Sequence, residues 1–245
     1  MPPQVLFVRN DPTAPEALLG DVFAECGFEI STFEVVSADR VGHPSVEVQF
    51  PEPSRYDVIV PLGARWSVFD DSLPWITAEM DMTRRALDCG VGVLGVCFGG
   101  QLLARALGGV VSRSPRPEIG WHEVHSSRAE LVPPGPWFQW HFDRLTPPPG
   151  ALEVARNACA VQAFTQGRAL GLQFHPEVDA ALVEQWIGAD ADGDLRQVGL
   201  SANALRARTA VELDDAVRRL RLLVRGFLDL LAAPPASLSA GPPSG

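Results

Sequence analysis

The chain is predicted to adopt an α/β fold: an open, mostly parallel sheet with helices on both faces, plus an antiparallel extension. Two observations carry that prediction. Over the first 110 residues, short apolar runs alternate with helix-spaced segments, the pattern of a parallel sheet whose crossovers cover both faces. Residues 110–175 instead hold short β-like runs broken by proline and glycine, as in an antiparallel meander.

The first strand is "QVLFV" at 4–8, opening into the turn-rich "RNDPTAP". Its continuous apolar character marks a strand buried on both faces. A helix follows over 15–26 and stops at Gly27. "FEISTFEVV" at 28–36 is the next strand, and 37–54, with Gly42, Pro44, Pro51 and Pro53, is a loop. "YDVIVPLG" at 56–63 is a third strand, 73–88 a helix closed by Gly90, and "VGVLGV" at 91–96 a fourth strand. A helix is expected over 100–107. Residues 179–232 return to helix, ending in an amphipathic stretch whose apolar stripe should pack on the body. The divisions expected are a domain over 1–192, a packed helical extension over 193–233, and a low-complexity tail over 234–245 with too few apolar residues to fold.

With 245 residues and 46% hydrophobic content, the chain is long and apolar enough for a sizeable core. A net charge of −10 argues against a nucleic-acid partner. All 20 basic residues are arginine, so no lysine chemistry is available. No apolar run approaches a membrane span, and the N-terminus lacks the layout of a signal peptide. A cytoplasmic location follows, and neither a membrane nor a nucleic acid is expected as partner. The four cysteines, Cys26, Cys89, Cys97 and Cys159, show neither metal-ligand nor disulfide spacing. No metal and no cofactor are therefore expected.

"GVCFGGQ" at 95–101 places Cys97 between a strand and a helix, with glycines two before it and two and three after it. Small neighbours let such a turn close and push the central side chain out of the sheet, as in a nucleophile elbow. The helix N-terminus favours a thiolate, and its backbone N–H groups can receive an oxyanion. On the elbow alone, a nucleophile and a cysteine filling a helix–strand contact stand equally open. For the other three cysteines, the buried structural role is preferred.

A nucleophilic thiol needs a base, and the base an orienting group. Of five histidines, His175 in "GLQFHPEV" follows a strand-like run, and ligands of open α/β sheets gather at strand C-termini. Pro176 restricts the backbone of His175, and Glu177 can bond one ring nitrogen while the other faces Cys97. His122 and His125 alternate along a strand and are expected at the surface; His141 and Asp143 are expected to be structural.

Together, "GVCFGGQ" and "GLQFHPE" resemble the class I glutamine amidotransferases, whose pattern is G-x-C-x-G-x-Q followed about 70 to 90 residues later by H-P-E. His175 follows Cys97 by 78 positions. "VPLGARWSVFDD", "EIGWHEV" and "WFQWHFDRLTPPPGA" are similar to further segments of stand-alone members related to the amidotransferase domain of GMP synthase. The resemblance covers roughly 4–190. It implies a flavodoxin-like sheet, with Cys97 as nucleophile, His175 as general base and acid, and Glu177 as its orienting partner. It also implies an oxyanion hole from Phe98 and the Gly63–Ala64 loop, and substrate binding by Gln101. The implied reaction is hydrolysis of the γ-amide of glutamine through a thioester, with ammonia passed to a separate synthetase subunit. A γ-glutamyl peptide or conjugate cut without a partner is the alternative substrate, and a silent binding or regulatory module the alternative class. The 68 residues after Glu177 are too few for a synthetase domain.

Two departures stand out. The family's Gly-Gly-Pro reads Gly63-Ala64-Arg65; an alanine forced to positive φ would cost about 1 kcal/mol or more. The family's W-H-G-D reads Trp140-His141-Phe142-Asp143, which puts a phenylalanine either at the substrate mouth or in the core.

Overall fold

The computed structural model describes residues 1–190 and 193–233; the tail expected over 234–245 lies outside the described residues. Nine strands, β1 (Gln4–Arg9), β2 (Glu29–Glu34), β3 (Val58–Pro61), β4 (Gly92–Val96), β5 (Val110–Ser126), β6 (Gly135–Thr146), β7 (Leu152–Arg156), β8 (Val161–Gln166) and β9 (Ala169–Leu172), form one sheet. Their order is β2-β1-β3-β4-β9-β8-β7-β5-β6. The helices are α1 (Ala17–Glu25), α2 (Pro74–Asp88), α3 (Phe98–Ala106), α4 (Ala180–Ala189), α5 (Asp194–Gln197) and α6 (Ala202–Ala232).

The α/β expectation holds, and so does the alternation behind it. In β1, Val5 and Phe7 face one core with α1 and α6, while Leu6 and Val8 face a second with α2 and α3. A strand buried on both sides needs apolar residues at every position, and "QVLFV" supplies them. The apolar stripe of α6 enters the first core through Leu220, Leu223, Val224 and Phe227.

Three readings need correction. Residues 110–175 are not antiparallel throughout: β9 runs parallel to β4 and antiparallel to β8, so it belongs to the parallel core. The runs at 110 and 121 form one strand, β5, with a register shift between Arg113 and Glu118, because a bulge absorbs the two prolines between them. Helix α3 begins at Phe98, not residue 100. Gly99 and Gly100 look like helix breakers, yet both are required. A Cβ on Gly99 would overlap the Pro61 carbonyl oxygen, and one on Gly100 the Leu172 carbonyl oxygen. Helix α3 thus lies directly on the backbones at the ends of β3 and β9.

The chain goes from β1 outward to β2 and returns on the other side to β3. That reversal opens a crevice beyond the C-terminal ends of β1 and β3, where ligands of such sheets bind.

Candidate active site

Cys97 caps α3 with φ 51° and ψ −107°. Only one other described non-glycine residue, Ala17, has a positive φ. Such backbone costs about 1–3 kcal/mol and persists only where its surroundings over-determine it. Here the Cys97 N–H donates to the Leu172 carbonyl at 2.9 Å, and the Cys97 carbonyl accepts from the Gln101 N–H at 2.9 Å. Phe98, the first helical residue, presents an N–H that a helix leaves without an internal partner.

His175 lies three residues beyond β9, held by its N–H donating to the Phe138 carbonyl at 2.8 Å. Its Nδ1 lies 2.7 Å from Glu177 Oε1, and Cys97 adjoins the ring. Cys97 and His175 are each 4% exposed and Glu177 is fully buried. Burial alone would lower the His175 pKa. The adjoining Cys97 and Glu177 outweigh it and hold the imidazolium form well above the ordinary range. The structure therefore brings Cys97, His175 and Glu177 into one buried chain of neighbouring groups, of which His175 and Glu177 are hydrogen-bonded.

Two other elements fix that chain. Trp186 of α4 packs edge-on to the His175 ring at 4.8 Å, and its Nε1 donates to the Thr13 carbonyl at 2.7 Å. The Leu18 N–H, in the first turn of α1, donates to the Glu177 carbonyl at 3.1 Å. The strained Ala17, φ 36°, immediately precedes it.

Gly63 closes on the opposite side: a Cβ there would stand 3.0 Å from His175 Cε1. Neither Gly63 nor Ala64 has a positive φ, so the alanine carries no left-handed strain. A cavity of about 200 Å³ opens beside them. Ala64, Arg65, Asp11, Thr13, His175 and Trp186 are among its lining residues.

Gln101 is buried, and its Nε2 donates to the Asp143 carbonyl at 3.2 Å and to Gln173 Oε1 at 3.3 Å; like Cys97 and Phe98, it is not among the residues lining the cavity. Phe142 also stands outside the lining. It packs beside the cluster of Ile119, Val178 and Leu182, with the Arg113 guanidinium 5.1 Å over its ring. His141 and Asp143 are buried framework, as expected. His141 bonds the Asp143 carbonyl and Gln139, and burial holds its pKa down to about 3. His125 is exposed and His122 half-buried. Cys26 and Cys89 are exposed, contrary to the expected buried role, and Cys159 is half-buried. No group of metal-ligating side chains occurs among the described residues, and none of their helices is long and apolar enough to cross a membrane.

Asn10, Asp11, Thr13 and Trp186 escaped sequence reasoning. "RNDPT" signalled a turn after a strand at the crevice, which was the one available clue.

The fold is that of an α/β protein of the amidotransferase kind. Residues 63–185 match the family model for glutamine amidotransferase class-I, and the chain belongs to that family. Among similar solved structures are a glutamine amidotransferase from Thermotoga maritima and one from Methylobacillus flagellatus. The first has TM-score 0.80 and 26% identity, covering 95% of this chain and 100% of that one. The second, at TM-score 0.81 and 24% identity over 94% and 95% of the two chains, shows the shared fold. Curated relatives include the GMP synthase [glutamine-hydrolyzing] of Thermus thermophilus, 38% identical over 138 residues, 51% of this chain and 25% of that one. The corresponding protein of Aeropyrum pernix is 38% identical over 112 residues, 42% and 22%. The matched stretch thus spans about a quarter of the length of these curated relatives.

Proposed function

We propose that the chain hydrolyses the γ-amide of glutamine by nucleophilic catalysis at Cys97. The observation that carries this reading is the buried Cys97 at a strained strand–helix turn, adjoining a His175 that is hydrogen-bonded to Glu177. The Cys97 thiolate attacks the amide carbon, and the carbonyl electrons move onto oxygen. The N–H of Phe98 and the Gly63–Ala64 loop receive that oxyanion. As it collapses, the carbon–nitrogen bond breaks. Imidazolium His175 protonates the leaving nitrogen, so ammonia departs and a thioester remains. Neutral His175 then takes a proton from water, hydroxide adds to the thioester, and glutamate leaves with the Cys97 thiolate restored. Glu177 accepts from Nδ1 and stabilises the imidazolium. Gln101, one helical turn beyond Cys97 and braced on the Asp143 carbonyl and Gln173, helps to hold the substrate. The resemblance to GMP synthase supports ammonia delivery to a separate synthetase, in a reducing cytoplasmic setting.

A second reading, hydrolysis of γ-glutamyl peptides or conjugates without an acceptor enzyme, is favoured by one observation. Arg65 replaces the family's proline and lines the cavity, where the edge of its guanidinium not paired with Asp11 would meet the far end of a longer substrate. Purified chain assayed with glutamine and a panel of γ-glutamyl peptides separates the two readings. The Cys97→Ala chain should be inactive on every substrate. Turnover that survives that substitution rejects Cys97 as the nucleophile, and the absence of both turnover and any covalent adduct at Cys97 with a γ-glutamyl electrophile rejects the mechanism in favour of a silent binding module.

A further inference from the structure

The Gly63–Ala64 wall beside His175 is held at both ends by two neighbouring buried residues just beyond β1. Asn10 and Asp11 are 0% and 1% exposed. Asn10 Nδ2 donates to the Leu62 carbonyl at 3.2 Å, fixing the entry to the Gly63–Ala64 segment. Asp11 Oδ2 accepts from the Arg65 N–H at 3.2 Å, fixing its exit. Each anchor is itself braced. Asn10 Nδ2 also reaches Glu79 Oε1 at 3.2 Å. Asp11 takes the Arg65 guanidinium through both carboxylate oxygens, at 2.6 and 3.1 Å, and accepts from Thr13 Oγ1 at 2.7 Å. Between the anchored ends, no hydrogen bond among the described residues uses the N–H of Gly63 or Ala64.

We infer that Asn10 and Asp11 are positioning residues that clamp the Gly63–Ala64 wall into its oxyanion-receiving form within the isolated chain, so that hydrolysis does not wait for a partner to arrange it. The inference rests on the functional reading above. Two peptide N–H groups left unbonded in a cleft carry a desolvation cost. Intrachain bonds on both sides keep them from turning back onto the protein's own acceptors. Preorganised donors stabilise developing charge without reorganising at the moment of reaction. A synthetase partner, where one accepts ammonia, then contributes a destination more than an activation.

The test uses the full chain alone, with γ-glutamyl p-nitroanilide as substrate and iodoacetamide as a probe of Cys97 whose reaction forms no oxyanion. Asn10→Ala and Asp11→Ala should each lower kcat about 10- to 100-fold while KM stays within about threefold. Asp11→Asn keeps an acceptor for the Arg65 N–H and should remain within about threefold of the parent. Alkylation of Cys97 should proceed equally in all of them. In amide NMR spectra, Gly63 and Ala64 should be sharp in the parent and shifted or broadened in the alanine variants. Unchanged kcat with unshifted amides overturns the clamp, as do amides already broadened in the parent, or a matching loss of alkylation. A parent with no turnover but clamp-dependent amides overturns partner-independent hydrolysis, and a parent whose Cys97 also forms no adduct with a γ-glutamyl electrophile overturns the hydrolase reading instead.

Discussion

The two sides of the cleft are built by different means. The elbow side is backbone packed on backbone: Gly95, Gly99 and Gly100 let α3 settle onto β3, β4 and β9 with no side chain between. The wall side is polar and long-range. Residues 10 and 11 hold residues 62 and 65 through side-chain hydrogen bonds, braced by Glu79 of α2. A steric seat tolerates no added atom but is indifferent to pH. A polar brace tolerates small additions but depends on protonation and on each donor meeting its acceptor.

The largest expected effect falls on the elbow. Gly99→Ala places a carbon where the Pro61 carbonyl sits, and neither backbone can yield without unseating α3. A loss of about 3 kcal/mol or more is expected in urea unfolding; a loss below about 1 kcal/mol would show that the seat is loose.

The next concerns the brace. Glu79 is fully buried, and burial pushes its pKa up to about 8, against the stabilising donor from Asn10. The unfolded chain ionises near 4.5, so it binds fewer protons than the folded chain between those values. Stability tied to Glu79 is therefore fully present below about pH 4.5 and falls as pH rises toward 8. Glu79→Gln removes that slope. Measured by denaturant unfolding, the variant should gain on the parent by about 2 kcal/mol between pH 4.5 and 6. A gap that is constant with pH would mean that Glu79 is ionised in the folded state.

The smallest effect tests the wall's tolerance. A Cβ on Gly63 meets only the edge of the His175 ring at 3.0 Å, which a shift of a few tenths of an ångström relieves. Gly63→Ala should fold with parental stability and lose roughly tenfold in kcat through the displaced base. A collapse in stability comparable to that of Gly99→Ala would erase the contrast between the two sides.

That contrast also explains what the sequence disclosed. Val5 through Val8, Cys97 with its glycines, and His175 with Glu177 are local patterns: period, turn chemistry and spacing lie within a few residues of one another. The clamp joins positions about 50 apart through unremarkable side chains, and "RNDPT" reads as any turn. Gln101 was legible as a motif member, but its hydrogen bonds to Asp143 and Gln173 depend on strands that only the fold brings near. The parallel pairing of β9 was hidden for the same reason, since its residues serve equally well in either orientation.

The position of Asn10 and Asp11 just beyond β1 has a consequence for transplanting this chemistry. The stretch matched by the family model, residues 63–185, contains Cys97, His175 and Glu177, the proposed catalytic set. It contains neither anchor of the wall, nor the α6 side chains that cover one face of the sheet. A chimera exchanging that stretch alone would inherit the reactive side chains and borrow the host's first strand for everything that holds the oxyanion donors in place. Its rate would then report the host's residues at those two positions as much as the donor's catalytic set.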